Sequence, residues 1–135
     1  NCTIVDNTGI GISLNGGAVA VTNGIVWGHS VADLSNFGAG QLANVGYSAF
    51  AVPGTQHGVN GCITNDPMFV GAATNNYRLQ FKPVLSPASN RGFNDLGGWM
   101  LGYTDLDGQR RIQAGTIDMG AYEVIPPAGT VILLR

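Results

Sequence analysis

Four of the eight carboxylates and two of the six basic residues fall between Thr104 and Glu123, in the stretch TDLDGQRRIQAGTIDMGAYE. Residue types at this spacing could do three kinds of chemistry. A calcium loop needs oxygen ligands at alternating positions and a glycine at its turn. Asp105, Asp107 and Gly108 fit that pattern, but Tyr103 stands where the first carboxylate belongs and Ala114 where a bidentate Glu would close the loop. Calcium on Asp105 and Asp107 is the one cofactor the pattern admits. A catalytic acid pair is the second chemistry: Asp105 and Asp107, two apart, would share one side of an extended strand, with Asp118 and Glu123 approaching only after a chain reversal. The third is a structural charge cluster of Asp105, Asp107, Arg110 and Arg111. Only 10% of the residues are charged, so opposite charges this close are better read as partners than as independent surface groups. The fastening is the preferred reading.

Other candidates are thinner. His29, Ser30 and Asp33 lie within HSVAD, but neighbours on a strand end point to opposite faces, so a coil-edge turn is preferred to a triad. His57 sits in a glycine-rich loop without a second ligand nearby. Trp99 and Tyr103, in GGWMLGYT, could stack on the apolar face of a sugar ring, or could fold over the core as a cap. A net charge of −2 supplies no basic footprint for nucleic acid. GIGISLNGG lacks the third glycine of a phosphate-binding turn, and no apolar run is long enough to span a membrane.

The elements that must position these residues are strands. Glycine, at 21 of 135 residues, is about twice its usual share, and with proline it leaves helices little room. Short runs (CTIV, AVAV, GIVW, TVILL) alternate with Asn-Gly and Asp-Gly turn pairs. Tyr77, Leu79 and Phe81 recur at every second position, which is strand spacing. A weak repeat aligns NCTIVDN at Asn1 with NGIVWGH at Asn23, and more loosely with NVGYSAF at Asn44, at spacings of 22 and 21 residues. A fixed period of that size marks stacked units sharing one core, with consecutive strands parallel. The expectation is an all-β fold, a short single-stranded parallel β-helix of a few coils, with Asn at each repeat start in a left-handed turn. Coils stack about 4.8 Å apart, which places Cys2 and Cys62 roughly 14 Å apart, beyond disulfide reach. Two free, buried thiols are expected. Phe69, Tyr77, Phe81 and Tyr122 read as core, while Trp27 could face either way.

The series NCTIVDN, NGIVWGH, GYS, DPMFV, NYRLQ, SPASNRG and DLDGQRRIQAGTIDMGAYE resembles the C-terminal part of bacterial surface proteins of the choice-of-anchor Q domain type, which are similar in style to polymorphic outer-membrane-protein repeats. The resemblance runs from Asn1 to about Glu123, and the last motif is its most specific piece. It implies a right-handed parallel β-helix in an exported, secreted or cell-surface protein, without a shared reaction to carry over. No signal-peptide pattern stands in the residues given, and the four-residue apolar run in VIPPAGTVILLR is not expected to act as an anchor by itself.

One domain is expected over residues 1–135, with coils over 1–73, a final coil and cap over 74–123, and a tail over 124–135. The C-terminal segment should cover one end of the core. At the other end CTIV begins directly in a strand, leaving Cys2, Thr3, Ile4 and Val5 as an uncapped edge: either further coils precede it in the native protein or two chains stack through it, and stacking is the expectation for the isolated chain. The functional expectation is therefore a non-catalytic structural or adhesive module whose partner is a second copy of itself. The alternative is a carbohydrate-binding module, or a carbohydrate-active enzyme, on the same scaffold.

Overall fold

The computed structural model describes residues 1–36, 41–51, 58–94, 102–113 and 115–126. The chain is all-β, with no α-helix among the described residues. Strands run in the order β1 (Thr3–Val5), β2 (Ile10–Leu14), β3 (Ala18–Thr22), β4 (Ile25–Trp27), β5 (Ala32–Asn36), β6 (Gln41–Gly46), β7 (Ala49–Phe50), β8 (Phe69–Gly71), β9 (Asn76–Leu79), β10 (Ile112–Gln113) and β11 (Thr116–Ile117). Three parallel ladders join them: β1–β4–β7, β2–β5 and β3–β6. Each strand of the first three thus pairs with the strand three places later.

The register explains the repeat and corrects it. Thr3 pairs with Ile25 and Ile10 with Ala32, offsets of 22 residues, in agreement with the Asn1–Asn23 alignment. Ala18 pairs with Gln41, then Ala20 with Asn44, because a bulge in β6 carries one extra residue. By β7 the offset has grown to 24, with Ile25 opposite Ala49. Asn44 therefore lies inside β6, and the left-handed seat expected for it is taken by Tyr47, at φ 49° beside φ 55° for Asn23. Parallel pairing reaches as far as the bridge between Ala49 and Ile63. Beyond that, β8 pairs antiparallel with β9, and β10 with β11, so among the described residues parallel pairing ends about ten residues before the expected boundary at 73.

The ladders aim one column each into a shared cluster: Ile4, Val26 and Phe50 from the first, Ile12 and Leu34 from the second, Val21 and Val45 from the third, with Cys62. Ile25 and Ala49, the alternate residues, point to the other face of the same sheet and are equally buried, against Leu79, Ala88 and Met119. Burying a Val or Phe side chain contributes about 1.5–3 kcal/mol. Because this sheet is apolar on both faces, the C-terminal segment lies along its outer face rather than across the end of the core. Gly120 makes the approach possible: its φ is +90°, and a Cβ there would come within 2.8 Å of Thr3 Oγ1 and Ile25 Cδ1.

The aromatic residues expected in the core form its shell instead. Phe69, Tyr77, Phe81 and Tyr122 are half-buried, with Phe69 and Tyr77 edge to face at 5.4 Å. Trp27 packs against the outer cluster, half-buried. Both cysteines are free; Cys62 is buried, but Cys2, just ahead of β1, is exposed.

Asn23 ties the two halves together. It is fully buried, its Nδ2 donates to Phe93 O (2.9 Å), and its Oδ1 accepts from Phe93 N–H (2.6 Å). Its backbone O accepts from Gly120 N–H at 2.7 Å. Asn23→Ala should destabilise the fold by about 2–4 kcal/mol in denaturant unfolding, through two lost hydrogen bonds and a strained left-handed alanine. Asn23→Gly, which removes only the bonds, should cost less.

Candidate functional site

The acidic stretch folds back on itself. Thr104 and Arg110 form an antiparallel bridge, and Gly108, at φ 78°, turns the chain between them. Asp105 organises the turn. Its Oδ1 accepts from Asp107 N–H (2.9 Å) and Gln109 N–H (2.8 Å), and its Oδ2 from Glu123 N–H (2.9 Å). Both oxygens of this buried carboxylate are thus engaged by backbone amides. Asp107 has the opposite surroundings: it is exposed and accepts from Arg78 Nε at 2.6 Å. Arg78 in turn lies over the Tyr122 ring, 4.8 Å from its centroid. The ion pair holds Asp107 below the usual carboxylate range and raises Arg78. Asp105 and Asp107 do not share a strand face, because they flank a turn.

Arg111, 4% exposed, donates from Nη2 to Gly120 O (2.9 Å) and sets Nη1 3.3 Å from Glu123 Oε1. Glu123 Oε2 accepts from Asp118 N–H at 3.0 Å. Asp118 accepts from Ser89 Oγ (3.1 Å), Asn90 N–H (2.6 Å) and Val124 N–H (2.6 Å). The chain reversal needed to bring Asp118 and Glu123 near Asp105 has therefore occurred, but the product is a buried lock. The expected cluster of Asp105, Asp107, Arg110 and Arg111 is split. Asp107 pairs with Arg78 and Arg111 with Glu123, because the turn sends the two aspartates to opposite environments, while Arg110 is exposed. Sequence reasoning missed Arg78, whose only signal was its outward place in the alternation Tyr77-Arg78-Leu79.

The lock adjoins β1. Ala121 N–H donates to Thr3 Oγ1 at 3.0 Å. A cleft of about 440 Å³ runs between Asn1, Cys2 and Thr3 on one wall and Tyr103 through Leu106 on the other, with Arg111 also lining it. Tyr103 is 56% exposed there. Ile4 and Val5 are half-buried in β1. Trp99 and His57 lie outside the described residues. Among the described residues, no group of three or more His, Cys, Asp or Glu side chains is placed to hold a metal ion. His29 is buried, its ring Nδ1 accepting from Asn7 N–H at 3.0 Å and its backbone N–H, not the imidazole, donating to Asp33 Oδ1 at 3.3 Å, while Ser30 is exposed. The three residues of HSVAD are thus not assembled as a triad.

No protein-family model matches the chain, and neither the curated proteins nor the solved structures yield a match.

Burial, with Asp118 adding to it, pushes Glu123 up to about 8 despite the opposing pull of Arg111 and the Asp118 N–H. Burial also raises Asp118. The folded state therefore keeps a proton on Glu123 that the unfolded chain releases near 4.5. This stabilisation is complete below that value and is lost as pH rises toward about 8. The melting temperature should fall across that window, by an equivalent of roughly 3–5 kcal/mol, and Glu123→Gln should flatten the decline in a pH series of thermal melts.

Proposed function

We propose that this chain is a short right-handed parallel β-helix serving as a structural, self-associating module of an exported, surface-associated protein. The observation that carries the proposal is the pairing of three consecutive strands with the next three, parallel and at 22 to 24 residues, which leaves β1, β2 and β3 with one neighbouring strand each among the described residues. The resemblance of the chain's motifs to choice-of-anchor Q proteins points the same way for export and surface location.

The open edge is specific. Ile25 N–H donates to Cys2 O (2.8 Å) and Asp6 N–H to Trp27 O (3.1 Å), so Cys2, Ile4 and Asp6 turn their backbone groups toward β4. By the alternation of a ladder, Thr3 and Val5 turn theirs away from it, as acceptors for another strand. A second copy meeting the edge of Cys2, Thr3, Ile4 and Val5 about a two-fold axis would pair the two β1 strands.

A glycan-binding role is the second reading, favoured by the exposed Tyr103 ring at the rim of the cleft beside Leu106. Tyr103→Ala should then abolish retention on immobilised glycans, with an unchanged circular dichroism spectrum.

Sedimentation over a wide range of protein concentration tests the leading reading. The wild-type chain should pass from monomer to dimer as concentration rises. Val5→Pro, which removes only an outward N–H, should remain monomeric with an unchanged circular dichroism spectrum. A wild-type chain that stays monomeric throughout overturns the self-association.

A further inference from the structure

A second concavity lies on a different part of the molecule, where the turn after β1 and the turn after β4 face the segment leading into β8. It measures about 300 Å³ and is lined by Asp6, Trp27, Gly28, Asp66, Met68 and Phe69, with Ala72 at its margin. Two aromatic side chains and two carboxylates thus share one cleft, and none of its lining residues is basic.

Each carboxylate spends one oxygen on the protein and keeps the other. Asp6 Oδ2 accepts from Tyr77 OH at 2.9 Å, and Tyr77 is itself set edge to face on Phe69. Asp6 Oδ1 has no donor among the described residues, and lies so close to Gly28 that a Cβ there would come within 2.4 Å of it. Asp66 Oδ1 accepts from Met68 N–H at 2.7 Å, leaving Oδ2 open. The arginine–carboxyl pairs among the described residues, Arg78 with Asp107 and Arg111 with the Glu123 carboxyl group, include neither aspartate. The backbone holds this arrangement in unusual conformations, with Asp6 at φ 54° and Met68 at φ 53°. A methionine in the left-handed region is uncommon enough to mark a constrained place.

The chemistry selects the ligand. Two uncompensated carboxylates favour a cation, and their free oxygens are acceptors that call for N–H donors. A calcium ion needs six to eight oxygens, more than the cleft's two carboxylates supply. An indole and a phenyl ring attract a cation held over their faces and cover its hydrocarbon stem. We propose that this cleft binds a protonated primary alkylamine, its ammonium donating to Asp6 and Asp66 and its methylenes lying on Trp27 and Phe69. The ligand is a free amine or a lysine side chain presented by another protein. The site is separate from the β1 edge and stands or falls independently of self-association.

The test is a titration of the full chain followed by the Trp27 indole N–H resonance, with n-butylammonium, n-butanol, tetramethylammonium and Nα-acetyl-lysine methylamide as probes. Saturable binding of n-butylammonium is expected, at least tenfold tighter than n-butanol of similar shape and than tetramethylammonium, which carries the charge without donors. Tighter binding of the lysine probe than of the free amine identifies a side chain as the source, and the reverse identifies a free amine. Asp66→Asn keeps the bond to Met68 N–H and should weaken n-butylammonium at least tenfold without a change in melting temperature. Tyr77→Phe, which frees Asp6 to move, should weaken it less. Equal binding of n-butanol, an unaffected Asp66→Asn variant, or no saturable shift with either amine overturns the proposal.

Discussion

Ile25 and Val26 are neighbours on β4, so they point to opposite faces, and both are 1% exposed. The remainder of the architecture depends on that double burial. Val26 commits the sheet to the cluster shared by three ladders, and Ile25 commits its other face to cover by the C-terminal segment. Parallel strands are commonly buried on both sides, since a strand sharing its direction with its neighbour must be reached by a crossover rather than a tight hairpin. Here the cover is an irregular lap instead of a helix. That explains why the lap is so rich in hydrogen bonds. An irregular backbone brings amides that the sheet cannot satisfy, and Asp105, Asp118, Glu123 and Asn23 accept from them one by one.

Much of this was legible in the sequence. The density of glycine and turn pairs excluded helices, and the Asn1–Asn23 match gave the offset of the first ladder. The drift to 24 residues was not legible, because a bulge adds a residue without leaving a compositional mark. The misplaced role of Asn44 follows directly from it. The unbroken apolar run GIVW held the signal of burial on two faces, but a short apolar run looks the same whether one cluster or two receive it. The aromatic residues misled for a related reason: alternation locates a face, and both faces of this sheet are covered to different depths.

The charged stretch divides in the same way. Its density of carboxylates beside arginines marked it as a fastening, yet its pairings crossed distances in sequence that no local rule reaches. Asp107 finds Arg78 across 29 residues, and Glu123 returns to Asp105 across 18. Local proximity suggested Arg110 and Arg111 as partners for both aspartates. The turn at Gly108 sends one carboxylate inward, where amides saturate it, and the other outward to an arginine on a neighbouring strand.

The bond between Thr3 and Ala121 spans 118 residues, whereas the ladders join residues only 22 to 24 apart. A ribosome adds about 5–20 residues per second. The first ladders can zip as soon as the second round of strands leaves the exit tunnel. Ala121 follows the end of β6 by 75 residues, so the outer face of β1 and β4 must then wait on the order of 4 to 15 s for its cover to be synthesised. During that interval an apolar sheet face stands uncovered on the nascent chain, which is when neighbouring chains on one polysome are closest together.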